Sequence, residues 1–387
     1  MPIAQPILGL RGCVVKDGAL FLEEVIAHGS YNKLYRAVET ESAVSSRRSS
    51  WASSSSASSS SSSSPRVYAV KSLRKAKAFR TDDRLYKHEL SLHRSVDSHP
   101  NIMTLQDAFI DRGRMFLVMD MHVHGTMVEA ILDGMYQRNT PLIQRTFGQL
   151  VDAVLFCHSK GVYHRNIKPT HILVDHWGGN PCLIDFGLAT SDAVSDQLNV
   201  GSAPYMSPGM YLLSFRPLSA SSTQPPDAWA IGMTLLNVVT NDTPWQSARP
   251  DVDRSFKVFV EGRRHSLCRK LPVSRPLARL LRWFFRMDPS KRLSLERFNK
   301  KLQRMDDMFM RLDEVDDVVM RVRHQALRVG CGRPTPPQDG SEPPFSAVDR
   351  SGQRQDQHVC GCLPGTFGVV LAQMVTPDDR VETLCTI

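Results

Sequence analysis

No stretch of this sequence approaches the roughly 18 consecutive apolar residues that a membrane-spanning helix needs. Its first residues, MPIAQPILGLRG, carry no basic segment followed by a long apolar one. A soluble protein inside the cell, in cytoplasm, nucleus or both, is therefore expected. A cysteine framework is also missing: the eight cysteines, at 13, 157, 182, 268, 331, 360, 362 and 385, follow no regular spacing, which argues against a disulfide scaffold and for a reducing compartment. A strong charge of one sign is absent as well, since the net charge is only +9 over 387 residues. The basic excess is local. Residues 257 to 292 hold eleven Lys or Arg against Glu261 and Asp288, with Arg279, Arg282 and Arg286 spaced to share a helical face. That pattern fits a solvated face or the docking of an acidic partner. Nucleic acid is not expected, because no recognised module or aromatic interleaving accompanies the charge. No internal repeat is visible.

What is present suffices for a real core, with 41% hydrophobic residues. Leu20 to Val38 reads as two strands around a turn at Gly29, and VYAVKSL from Val67 as a third. Between them, fifteen of the twenty residues from 45 to 64 are serine, too polar to offset ordering entropy, so a disordered insertion is expected there. Within it, RRSS at 47 to 50 fits either low-complexity drift or a phosphorylation site. Residues 81 to 97 predict a helix and MFLVMDM from Met115 a buried strand. Residues 141 to 160, 227 to 240, 275 to 286 and 294 to about 328 then show apolar residues at helical spacing. From 329 to 387 the chain is rich in Gly, Pro, Gln and Asp without periodicity, which predicts a disordered tail.

Seven motifs follow one another in order: VYAVK, a helix glutamate before HPNI, HRNIKP, DFGLA, GSAPYMSP, DAWAIG and DPSKR. On these the chain resembles the protein kinase family across residues 19 to 305. DFGLATSD, YMSP, LLNVV with TPW, and SFKVFVEG through LPVSRPLARLLRWFFRMDPSKRLSL are similar to fungal serine/threonine kinases that regulate nutrient response and meiosis. The resemblance implies an α+β, bilobal fold. A β-rich N-lobe would span about 19 to 120 and a helical C-lobe 121 to 305, with an N-terminal segment 1 to 18 and a helical extension 306 to 328.

It also implies roles. Lys71 would hold nucleotide phosphates and pair with Glu89; Asp185 would hold magnesium. Leu34, Ala69 and Leu173 would sandwich adenine, with the backbone of Asp120 and His122 at its edge and Met119 behind. Lys168 marks the serine/threonine class, and Arg165 could grip a phosphate on Ser191, Ser195 or Ser202. Phe186 and His164 would pack as part of an internal spine.

Several positions depart from the family pattern. The glycine loop reads AHGSYN at 27 to 32, with Ala27 and Asn32 in glycine places and only Gly29 kept, so weaker nucleotide binding is expected. Asn166 replaces the catalytic aspartate; an amide cannot take the substrate hydroxyl's proton, though it can accept a hydrogen bond. His171 replaces the asparagine that binds a second magnesium. Imidazole suits zinc, copper or iron better, so that site is expected to be lost, and His171 with Asp185 gives two ligands, too few for another metal. Gly209 stands where a glutamate would pair with Arg292. Two functions stay open. One is a pseudokinase, binding ATP with one magnesium ion and acting as a signalling scaffold or allosteric regulator of protein partners. The other is a slow ATP-dependent serine/threonine kinase acting on protein substrates.

Overall fold

A computed structural model describes residues 9–28, 32–52, 64–74, 84–192, 200–211, 226–262, 271–311 and 314. Gly29, Ser195, residues 53 to 63 of the serine tract, nearly all of the helical extension and the whole tail lie outside these residues.

The N-terminal part is one antiparallel sheet of six strands, β1 (Val14–Val15), β2 (Leu20–His28), β3 (Asn32–Glu39), β4 (Val67–Arg74), β5 (Leu105–Asp111) and β6 (Arg114–Asp120), in the order β1-β2-β3-β4-β6-β5. β6 reads RMFLVMD and is buried from Met115 to Met119, as expected of a strand covered on both faces. Leu22, Tyr35, Val70 and Phe116 form the core on one face of the sheet, while Ala69, Leu117 and Met119 line the other.

α1 (Glu41–Ala52) follows β3. It corrects the expectation of disorder across 45 to 64, because the first part of that tract is helical. The hydroxyl of Thr40 accepts a hydrogen bond from Ala43 N, and Val44 is buried, so a cap and one apolar anchor begin the helix where serine content alone argued against it. α2 (Arg84–Val96) buries Glu89, Leu92, His93 and Val96, one stripe at helical spacing.

The C-terminal part is helical: α3 (Met127–Leu132), α4 (Thr140–Ser159), α5 (Pro226–Thr240), α6 (Arg254–Glu261), α7 (Arg275–Phe284) and α8 (Leu295–Leu302). Caps set the starts. Asn139, Asp253, Ser274 and Ser294 each accept a hydrogen bond from a backbone N–H of the first turn of α4, α6, α7 and α8. α5 is buried almost all round from Asp227 to Thr240 and is the post on which α4 and α7 pack. Between α4 and α5 lies a short hairpin of β7 (Ile172–Leu173) and β8 (Cys182–Leu183). The two parts make the expected α+β bilobal arrangement.

α8 stops at Leu302, which corrects the helix expected from 294 to about 328. The chain turns, and Met308, Phe309 and Met310 are buried side by side. Their backbone pairs with the strand-like segment before α7, Ser274 N donating to Met308 O and Met310 N to Pro272 O. Consecutive apolar residues cannot share one face of a helix, so burying all three requires extended chain.

Candidate functional site

Lys71 sits in the middle of β4, paired with Leu34 on one side and Leu117 on the other, so its side chain leaves the sheet toward α2. Its Nζ donates to Glu89 Oε1 at 2.6 Å and to Asp185 Oδ1 at 2.7 Å. Burial pulls the ammonium down, but the two carboxylates outweigh it and hold Lys71 above its ordinary value. Burial likewise pushes the Asp185 carboxyl up, yet Lys71 brings it well below the ordinary range. The three charges therefore stay ionised together.

Asp185 follows β8 and adopts φ +67°. Phe186 beside it is buried. A side chain on Gly187 would meet Asp185 Oδ1 at 3.2 Å and Glu89 Oε2 at 3.5 Å, so a glycine is needed where three acidic oxygens converge. Asp185 Oδ2 faces His171 Nε2 at 3.4 Å, and His171 Nδ1 lies 3.0 Å from Asn166 O. Burial pushes His171 down to about 4, so it is neutral near pH 7.

The loop carrying Asn166 hangs from Asp227 at the start of α5. That buried carboxylate accepts from His164 N at 2.8 Å through Oδ2 and from Arg165 N at 2.7 Å through Oδ1, with His158 Nε2 at 3.0 Å. His164 is a neutral imidazole, lowered by burial. Its Nε2 donates to Ile184 O at 3.0 Å while its Nδ1 accepts from Asn166 N at 3.3 Å, so one tautomer ties the loop to the Asp185 segment.

Asn166 ends in a chain of donors. Lys168 Nζ donates to Ser202 Oγ at 2.8 Å, and Ser202 Oγ donates to Asn166 Oδ1 at 3.0 Å. Ser202 is thus fixed between two loop residues. Arg165 donates through Nε to Leu188 O at 2.7 Å.

The sheet and the hairpin also bring the expected apolar residues together: Leu34, Ala69, Met119 and Leu173 share one cluster with Leu117 and Ile184. Asp120 closes β6 with Oδ1 accepting from Gln106, and His122 follows in the connection between the two parts. Ala27 lies at the end of β2, paired with Leu34.

Two features escaped the sequence reading. His93, one turn after Glu89, stacks on Phe186 with ring centroids 4.7 Å apart; its spacing of four from Glu89 was the available signal. Arg292 lacks a carboxylate but is not turned to solvent. Its Nε donates to Arg286 O at 2.6 Å, one Nη donates to Met287 O at 3.3 Å, and the guanidinium lies 5.1 Å from the Trp229 ring centre. Burial lowers it to about 10.

The donor set suits one magnesium ion: Asp185 Oδ2 is a hard oxygen left over by Lys71. It does not suit a second, since His171 presents a nitrogen where magnesium prefers oxygen.

The family model described as the protein kinase domain matches residues 52–302. The chain is 30% identical over 321 residues to the "Negative regulator of sexual conjugation and meiosis" of Schizosaccharomyces pombe, covering 78% of this chain and 63% of that protein. It is 30% identical over 239 residues to "Serine/threonine-protein kinase KSP1" of Saccharomyces cerevisiae, covering 59% and 22%. With "Serine/threonine-protein kinase VHS1" of the same yeast the identity is 28% over 225 residues, covering 55% and 48%. The chain thus spans less than two thirds of the length of each of these relatives.

Proposed function

Because the chain belongs to the protein kinase family, we propose that it binds ATP between its lobes but transfers the γ-phosphate poorly, acting as a scaffold or allosteric regulator of protein partners. Asn166 carries this reading. Its one acceptor oxygen already receives the Ser202 hydroxyl, and an amide takes up no proton at neutral pH. A substrate hydroxyl placed there could be oriented but not deprotonated, and a general base is worth about 10²- to 10⁴-fold. The rest of the site favours binding: Lys71 is positioned by Glu89 for phosphate, Leu34, Ala69, Met119 and Leu173 are grouped for adenine, and Asp185 offers oxygen for one magnesium. That ion, when bound, neutralises phosphate charge. The exposed Arg279 on α7, within the basic stretch from 257 to 292, fits an acidic partner.

The test is γ-phosphate transfer to a generic protein substrate, with the native chain, Asn166→Asp and Lys71→Ala prepared together. Little transfer by the native chain, little gain in Asn166→Asp, and retained nucleotide binding support the proposal. A native signal that vanishes in Lys71→Ala supports the second reading, a slow serine/threonine kinase. That reading is favoured by the Lys168–Ser202–Asn166 chain, which still organises the acceptor side of the cleft.

A further inference from the structure

The imidazole of His171 is held at both edges, and the two edges make incompatible demands on it. Nδ1 lies 3.0 Å from the carbonyl oxygen of Asn166. A carbonyl has no hydrogen to give, so Nδ1 carries the proton of the neutral ring. Nε2 is then a bare lone pair, and it faces Oδ2 of Asp185 at 3.4 Å. Asp185 cannot rotate this oxygen away without giving up the 2.7 Å bond from Lys71 to Oδ1. Two lone pairs facing each other repel unless a cation lies between them.

The separation suits such a cation. At 3.4 Å it is long for an N–H···O bond, yet two ligands each about 2.1 Å from a metal at the tetrahedral angle stand roughly 3.4 Å apart. A backbone carbonyl on the far nitrogen is also the outer partner that metal-bound histidines use to fix their tautomer. Among the described residues no group of three His, Cys, Asp or Glu side chains stands ready to hold a metal, so the remaining ligands must come from elsewhere.

We propose that His171 and Asp185, completed by phosphate oxygens of a bound nucleotide, form a site for a nitrogen-accepting transition dication of the manganese or zinc class in the place of a second magnesium. The proposal rests on the nucleotide binding argued above. The cation arrives with the nucleotide, and nitrogen at one corner turns the selectivity away from magnesium.

The test uses the full chain and a non-hydrolysable ATP analogue, titrated in EDTA, in Mg²⁺ and in Mn²⁺. Pulsed electron paramagnetic resonance of the Mn²⁺ sample, with histidine in natural abundance or labelled with ¹⁵N, reads the ligand directly. The expected result is analogue binding at least about tenfold tighter with Mn²⁺ than with Mg²⁺ and a histidine nitrogen coupling that requires the analogue. His171→Asn should lose both the coupling and the preference. The native spectrum stands independently of how that variant folds. Analogue binding that is equal in both metals with no nitrogen coupling overturns the inference, meaning that a doubly protonated His171 meets Asn166 and Asp185 unaided, and it leaves nucleotide binding intact. No analogue binding under any condition overturns both.

Discussion

The imidazole of His93 lies nearly face to face with the ring of Phe186, centroids 4.7 Å apart and planes inclined by 23°, while His164 meets the other side of Phe186 edge-on at 4.9 Å. A column of two histidines and a phenylalanine thus connects α2, the Asp185 segment and the catalytic loop. His93 is buried, and its Nε2 donates to Met103 O at 2.7 Å. The column therefore joins the element carrying Glu89 to the one carrying Asp185 through a titratable ring.

That ring gives a pH dependence with a definite sign. Burial lowers the His93 pKa, with Glu89 and Asp97 favouring the cation and Lys71 opposing it. The folded state keeps the ring neutral, whereas the unfolded chain protonates it near its ordinary value. Stability from this group is therefore complete above about pH 6.5 and declines as pH falls below it, by up to about 1.4 kcal/mol per unit. Chemical denaturation of the native chain and His93→Leu, between pH 5 and 8, checks this. The variant should show a slope shallower by up to that amount below pH 6.5, and parallel slopes would contradict it. At pH 8 the two should differ by only about 1 kcal/mol, since leucine loses one hydrogen bond but restores apolar contact.

Much of this site was legible in the sequence because kinase chemistry needs particular residues at fixed spacing. Lys71, Glu89 and Asp185 were read from motifs, and the fold brings all three within hydrogen-bond distance. Strand β6 and helices α4 and α5 were read from apolar periodicity, which is strong in long buried elements. His93 was not, because a histidine on an apolar stripe has no meaning until the ring it stacks on is known. The end of α8 was missed for a related reason: the spacing from Leu302 onward fits a helix, and only contact with the segment before α7 makes extended chain the better solution for Met308, Phe309 and Met310. The partners of Arg292 are backbone carbonyls, which no side-chain pattern records.

Arg292 leads to a stabilising substitution. Its two carbonyl acceptors and the Trp229 ring leave the charge without a counter-ion, and a Cβ on Gly209 would meet nothing within 4 Å. The family resemblance puts the missing carboxylate at position 209. Gly209→Glu should raise stability by about 1.5 to 3 kcal/mol through a charged hydrogen bond. In an Arg292→Met background the same change should gain nothing. A double-mutant cycle by urea denaturation measures the coupling, and a value below about 0.5 kcal/mol would mean that the two positions do not meet.

Lys71 has a structural role separable from nucleotide binding. It alone stands between Glu89 and Asp185 in the ion pairs of the site. Lys71→Met leaves two acidic groups facing each other in a buried setting, at a cost of about 3 to 5 kcal/mol. Adding Glu89→Gln removes one of the stranded charges and should recover a substantial part of that loss. Thermal melting without nucleotide distinguishes this from a ligand effect. A Lys71→Met chain as stable as the native one would show that the three charges are solvated rather than mutually dependent.

Asp227 supports the strongest prediction about the catalytic loop. Its carboxylate accepts two backbone N–H groups, from His164 and Arg165, besides facing His158. Arg165 adopts φ +62°, a left-handed conformation that costs a non-glycine residue about 1 to 2 kcal/mol, and the two bonds from Asp227 hold it there. Asp227→Asn keeps the shape but turns one acceptor into a donor, so one of the two N–H groups meets another donor and is orphaned. The expected loss is about 2 to 5 kcal/mol, concentrated in the loop. Burial pushes the native carboxyl up, but hydrogen bonds from His158 and the loop hold it below its ordinary value. Its contribution is therefore present above about pH 4 and disappears as pH falls through the folded value, on the acid side of the His93 window. Hydrogen exchange should show faster exchange at residues 164 to 168 in Asp227→Asn, with α4 protected to nearly the native degree. Uniformly faster exchange across α4 and α5 would instead mean that Asp227 holds the whole C-lobe rather than this loop.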